Sequence, residues 1–142
     1  LASAAAMISA YGLATGSVST GHGTERVHEY LRPHIELYKV DLKSSNDRRY
    51  RELGGRLQPI LETIAWLQRA GVWLEIVTLL IPGFNDSDEE VRSLTTFLAG
   101  VSRDIPWHVT AFHPDYRMTD VGFTTPVMLQ RAARIAHEAG LK

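Results

Sequence analysis

Short apolar runs alternate along this chain with polar loops and with segments whose apolar residues recur every three to four positions. The runs at Leu13–Ser19, Glu36–Leu42, Val72–Ile81 and Trp107–Phe112 predict strands. The later strand starts lie roughly 35 residues apart, the length of a strand–helix unit with its loops. Between them, local signals predict helices. Thr24 can cap one that turns Val27, Tyr30 and Leu31 inward and ends before Pro33. Pro59 suits a first turn, after which Ile60, Ile64 and Leu67 share a stripe up to Gly71. Ser87 and Glu90 form a capping box ahead of Val91, Leu94, Thr95 and Leu98, with Gly100 as the stop. Thr125 and Pro126 open a last helix that buries Met128, Ala132, Ile135, Ala136 and Ala139 and ends at Gly140. The leading "LASAAAMISAYGLA" reads as the back half of a further helix.

Strands alternating with helices imply a parallel sheet with right-handed crossovers. The expected fold class is α/β, either an open doubly wound sheet or part of a barrel. About four units are present, too few to close a barrel, and "WLEIVTLLIPG" and "WHVTAF" suggest strands covered on both faces. One strand breaks the apolar rule. In "YKVDLKSS", Tyr38, Val40 and Leu42 share one face, while Leu37, Lys39, Asp41 and Lys43 share the other. Ionised side chains are costly to bury unless paired. The charge lies toward the strand's carboxyl end, where parallel βα folds bind ligands. Asp41 and Lys43 are therefore candidates for a charged ligand, or else a salt-bridged strand end.

Composition narrows the possibilities. The 142 residues, 44% apolar and 22% charged, suit one globular domain. A net charge of −1 gives no basic field for nucleic acid. No apolar run approaches a membrane span or carries a basic leader, and a cytoplasmic location is expected. The absence of cysteine excludes disulfides, thiol nucleophiles and thiolate-held metal clusters on these residues. A start at Leu1 inside a helical pattern, and a stop just after Gly140, suggest a piece of a longer protein.

Each remaining strand also ends in a polar segment. "VSTGHGTE" offers Ser19 and Thr20 with two turn glycines. "LLIPGFNDSDEE" leads from Ile81 through a Pro–Gly turn into a cap. "FHPDYRMTD" presents His113 as the first polar group past its strand. His108 and His113 differ in parity and make a poor metal pair, and His28, His34 and His137 read as surface residues. No segment is decisive alone, yet all four would meet at one end of a parallel sheet.

Read in order, "VSTGHGTERVHEYLRP", "YKVDLKS", "WLEIVTLLIPGFNDSDEE", "IPWHVTAFHPDYRMTD" and "RAARIAHEAGLK" resemble the radical S-adenosylmethionine (SAM) superfamily. The nearest branch is similar to the pyruvate formate-lyase-activating-enzyme-like proteins, specifically the AmmeMemoRadiSam group. The resemblance implies a partial (β/α)6 TIM-like barrel of which residues 1–142 form a single incomplete domain. The cluster-binding units with their C-x3-C-x2-C motif would lie before Leu1, and a further tail after Lys142. It further implies that Ser19, Thr20, Asp41, Lys43, Ile81 and His113 contact SAM, with Ile81 beside the adenine. Relatives usually carry Asn where Thr20 stands. The parent enzyme would cleave SAM with a [4Fe–4S] cluster to a 5′-deoxyadenosyl radical that abstracts hydrogen from a protein or small-molecule substrate. The segment alone would hold no metal, supply no acid–base residue and be inactive. Two rivals stand beside this reading: a Schiff-base lyase of aldolase type using Lys43, and a binding module without catalysis.

Overall fold

The computed structural model describes all residues from Leu1 to Lys142. Four strands, β1 (Gly16–Ser19), β2 (Leu37–Asp41), β3 (Trp73–Leu80) and β4 (Trp107–Ala111), form one parallel sheet in the order β1-β2-β3-β4. Six helices accompany them: α1 (Ala2–Ala10), α2 (Glu25–Leu31), α3 (Asp47–Glu52), α4 (Leu57–Arg69), α5 (Asp88–Val101) and α6 (Pro126–Ala139). This is the α/β arrangement of a partial barrel, each strand lying beside the one that follows it in sequence. No helix is long and apolar enough to cross a membrane.

Register explains which side of the sheet is the core. Lys39 pairs with Glu75 and Val40 with Ile76, so residues of equal parity share a face across the strands. Tyr38, Val40 and Leu42 face the helices with Leu74 and Ile76. There they meet Ile60, Ile64 and Leu67 of α4 and Leu94 and Leu98 of α5. Val40, Leu42, Ile60, Ile64, Leu67, Ile76 and Leu98 are fully buried. The opposite face stays half-open, with Lys39, Asp41 and Glu75 partly exposed. On that face the Glu75 carboxylate accepts from Trp73 Nε1 at 3.0 Å and from His108 Nε2 at 3.1 Å. It also lies 3.9 Å from Lys39 Nζ. The Trp73 hydrogen bond and then His108 hold it below the ordinary glutamate range. The third charge of β2 is thus matched by its neighbour on β3.

Several local expectations change. β4 is not covered on both faces: as an edge strand of the sheet it leaves His108, Thr110 and Ala111 exposed. The "KSSND" loop is followed by α3, capped by Asn46, whose side chain accepts from Arg48 N at 2.9 Å. Gly100 does not end α5, which runs on to Val101. Only half of the expected capping box forms. Ser87 accepts from Glu90 N at 3.2 Å, but the Glu90 carboxylate turns to Ser44 Oγ and to Ser45 N at 2.6 Å. Those donors sit in a loop about 45 positions away in sequence.

The stripe of α2 is also rotated from its expected position. Val27 and Tyr30 are exposed, and His28 and Leu31 are buried instead. His28 is therefore a core residue, not a surface one. Its Nε2 meets Thr63 Oγ1 at 3.2 Å, its ring stands edge-on to Tyr38, and Nδ1 has no hydrogen-bond partner. Burial pushes its pKa below the usual histidine value, with the Gly23 backbone only partly opposing. The unfolded chain then binds a proton at a higher pH than the folded one. Stability from this group is fully present above about pH 6.5 and declines as the pH falls below it toward the folded value. Denaturant titrations at pH 7.5 and pH 5 are expected to show a smaller loss on acidification for His28→Gln than for the parent chain. An equal loss in both would remove His28 from the account.

Candidate functional site

The carboxyl ends of β1, β2 and β3 surround a cleft of about 490 Å³. Each wall has a local cause. Thr20 directly follows β1, and the chain turns through Gly21 at φ +78° so that His22 lies at the cleft. β2 ends with Asp41 and Lys43, which share the open face because they are two residues apart. Leu79 and Ile81 supply an apolar wall from β3 and the turn beyond it, with Phe84 beside them. The fourth wall is α3 and its exit turn, contributing Tyr50, Leu53, Gly54 and Gly55.

Lys43 Nζ donates to Asp41 Oδ2 at 2.8 Å, and both side chains are about one-third exposed, at 35% and 28%. A pair this open to water contributes only about 0–1 kcal/mol to stability, so its placement is not explained by folding. Tyr50 is buried behind it. Its hydroxyl accepts from the Lys43 backbone N–H at 2.7 Å, and burial drives its pKa up to about 12. It thus remains a neutral hydroxyl at any physiological pH. His22 Nε2 accepts from Arg56 N at 3.1 Å, with its ring edge toward Tyr50. Gly55 lets the ring sit this close, since a Cβ there would come within 2.8 Å of the imidazole and push it aside. Behind the β3 wall, the buried amide of Asn85 bonds Ile81, Leu79 and Lys43.

Of the residues singled out from sequence, Thr20, Asp41, Lys43 and Ile81 line this one cleft. Ser19 does not. It pairs in register with the core residue Val40, and its Oγ accepts from Gly21 N at 3.1 Å. His113 follows β4 at the same end of the sheet but is exposed and outside the cleft lining. Sequence reasoning missed Tyr50, His22, Phe84 and Asn85. Tyr50 had one signal, as the lone aromatic within the charged "NDRRYRE". His22 and Phe84 have none at short range, because Arg56 and Arg49, which they meet, lie about 35 positions away, and Asn85 reads from sequence only as part of the turn into the helix cap.

The arrangement sets an ion pair and hydroxyl groups against an apolar wall containing an aromatic ring. Such a site can orient a ligand with both charges at one end and a flat apolar ring at the other. A more open hollow of about 710 Å³ adjoins it past Gly54 and Gly55, lined mostly by polar groups of α3 and the start of α4. It offers only Leu57 as an apolar contact.

No family model matches the chain. It is 32% identical over 109 residues to the uncharacterized protein MJ0808 of Methanocaldococcus jannaschii, a match covering 76% of this chain and 33% of that protein. It is 28% identical over 89 residues to the choline trimethylamine-lyase activating enzyme of Oleidesulfovibrio alaskensis, covering 62% and 29%. The chain thus spans about a third of the length of these curated relatives. Among solved structures, a domain of the pyruvate-formate lyase-activating enzyme from Bacteroides vulgatus superposes with a TM-score of 0.78 at 22% identity, covering 100% of this chain and 86% of that one. TYW1 with a lysine–pyruvate adduct gives 0.71 at 19% identity, covering 96% and 44%. A radical SAM methyltransferase from Sphaerobacter thermophilus gives 0.61 at 20% identity, covering 87% and 37%. At these identities the likeness speaks for the fold, and the expected partial βα barrel is the one observed. In fold, this chain stands with the radical SAM enzymes.

Proposed function

We propose that the cleft binds SAM and that this chain is part of the barrel domain of a longer radical SAM enzyme. Within that class we place it nearest the pyruvate formate-lyase-activating-enzyme-like proteins of the AmmeMemoRadiSam group. The observation that carries the reading is the open Asp41–Lys43 pair standing beside Leu79, Ile81 and Phe84 in one cleft. SAM combines an ammonium, a carboxylate, a sulfonium and an adenine, so it suits this mixture. Asp41 would accept from the ammonium or the ribose hydroxyls, and Lys43 would donate to the carboxylate. Ile81 would pack on the adenine, and Thr20 would offer a hydroxyl. Ser19 would contribute through its backbone at the end of β1, and His113 from the rim.

SAM supplies the radical precursor once an electron reaches it; the residues here bind, orient and exclude water. A [4Fe–4S] cluster does not fit on this chain, which has no cysteine to ligate it. Its ligands belong, on this reading, to residues outside the segment, and the segment by itself is inactive. The Schiff-base reading gains interest because TYW1 was solved with a lysine–pyruvate adduct. Here, however, Lys43 is held by Asp41 at 2.8 Å, while imine formation needs a free amine.

Calorimetric titration with SAM tests the proposal. Lys43→Gln and Asp41→Asn are each expected to weaken binding by roughly 10-fold, the value of one charge-assisted hydrogen bond of about 1.5 kcal/mol. His137→Gln, exposed on α6, is expected to leave it unchanged. Failure of a longer form bearing the cysteine motif to bind SAM would sink the reading. Borohydride trapping of pyruvate on Lys43 would favour the lyase.

A further inference from the structure

We infer that Asn85 is the positioning residue of the cleft, a brace that sets the spacing between its charged wall and its apolar wall. The inference goes beyond the SAM proposal and rests on that reading only for the identity of the ligand. Asn85 is 3% exposed and lies in the turn between β3 and α5. Its Oδ1 accepts from Ile81 N at 2.7 Å. Its Nδ2 donates to Lys43 O at 2.7 Å and to Leu79 O at 2.9 Å. One side-chain amide therefore joins the ends of β2 and β3 beyond the point where the strands stop pairing, since the register between them ends at Asp41 and Val77.

The geometry matters because the ladder cannot do this job. Leu42 N–H still donates to Val77 O at 2.9 Å, but one residue further on the Lys43 carbonyl is met by the Asn85 amide and by no backbone N–H. A buried carbonyl without a donor costs about 1–3 kcal/mol. Asparagine alone among side chains of this size offers two donors and an acceptor on one rigid plane. Aspartate has the same shape but no donor when ionised, and its charge would face Lys43 O and Leu79 O. Asp41, Lys43, His22 and Tyr50 line the same cleft, and Asp86 beside it pairs with Arg131 at 3.7 Å; none of these side chains bonds the Asn85 amide. The backbones of Lys43 and Ile81 are thus held by the same group, although one follows β2 and the other follows β3.

The isosteric variant Asn85→Asp gives a signature that loss of packing does not. Protonation at acid pH restores one donor to the new carboxyl; ionisation near neutrality removes it. In Asn85→Asp, protection of the amides of residues 79–85, read by NMR as exchange relative to the parent chain at the same pH, is expected to fall at pH 7.5 and to recover at pH 5. SAM affinity, measured calorimetrically on the same samples, is expected to drop at least 10-fold at pH 7.5 and to recover at pH 5, against a flat ratio for Asn85→Ala. Normal amide exchange and affinity at pH 7.5 would overturn the inference. So would loss of the cooperative thermal transition at both pH values, which would assign Asn85 to the global fold. If neither the parent chain nor a longer form binds SAM, the SAM reading fails. The brace is then judged by amide exchange alone: a pH-reversible change confined to residues 79–85 supports it, and an unchanged pattern overturns it.

Discussion

Gly21→Ala is expected to destabilise the chain by about 2–4 kcal/mol, because two separate costs fall on one position. Gly21 has φ +78°, a left-handed conformation that costs an L-residue about 1–2 kcal/mol. The added methyl also has nowhere to go. A Cβ would stand 2.9 Å from Ile60 Cγ2 and 3.0 Å from Val40 Cγ1, both fully buried side chains of the main core. Overpacking by a single methyl falls in the lower part of the usual range, about 1–2 kcal/mol. For a domain of this size the sum corresponds to a fall in Tm of roughly 6–12 °C. The same change displaces Thr20 and His22, which flank Gly21 at the cleft, so ligand affinity should drop along with Tm. Differential scanning calorimetry reads the first effect. Gly54→Ala is the control: it carries the same φ of +78° but has open space around it, so it should cost only the backbone part. Equal losses at the two glycines would mean that the core contact contributes nothing.

Thr78→Val should cost about 2–3 kcal/mol although the two side chains have nearly the same shape. Thr78 is 2% exposed and lies in the middle of β3 on the helix-facing side, with Ile76 and Leu80. Its hydroxyl donates to Leu42 O at 2.8 Å and accepts from Trp107 Nε1 at 2.9 Å. One oxygen therefore connects β2, β3 and β4 across the core face of the sheet. Valine would leave the Leu42 carbonyl without that donor and the indole N–H without an acceptor, and each orphaned buried group costs about 1–3 kcal/mol. Thr78→Ser keeps the hydroxyl and should lose less than Thr78→Val. Urea unfolding of both variants decides the matter: a valine variant as stable as the parent would show that the relay carries no net stability.

These sites show how unevenly function is written in a sequence. The alternation Lys39–Asp41–Lys43 places a charged face along β2 and just past its end, since side-chain parity in a strand admits no alternative. The four rim segments were legible for a similar reason. In a parallel sheet every strand ends on the same side, so polar residues just past each strand must gather there. Ser19 shows the limit of that argument. One residue of parity separates it from Thr20, and that is enough to turn its hydroxyl away from the cleft and onto Gly21 N–H.

Where the chain turns tightly, periodicity was a poorer guide. His28 looked like a surface histidine because α2 is only seven residues long, too short for a stripe of Val27, Tyr30 and Leu31 to be distinguished from one rotated by a single position. Its burial is decided by the contact with Tyr38, Thr63 and Trp66, each from another element. Glu90 is similar. Its place three residues after Ser87 predicts a capping box, yet two donors from the loop after β2 outcompete the local one. Local hydrogen bonds are worth little more than distant ones, and the distant pair gives the carboxylate two partners instead of one.

By itself, then, the sequence determined the alternation of strand and helix, the α/β class, the buried face of β2 and the common end at which charge collects. All of these follow from backbone periodicity, which is a property of adjacent residues. Only the tertiary structure decided that Asp41 pairs with Lys43 while Lys39 turns to Glu75, that Tyr50 and His22 close the cleft, and that Asn85 bridges two strand ends. Most of those choices depend on distances between groups far apart in the chain, such as Lys39 and Glu75 or Asn85 and Lys43. Such distances are set by how strands twist and helices pack, and no short window of sequence contains them.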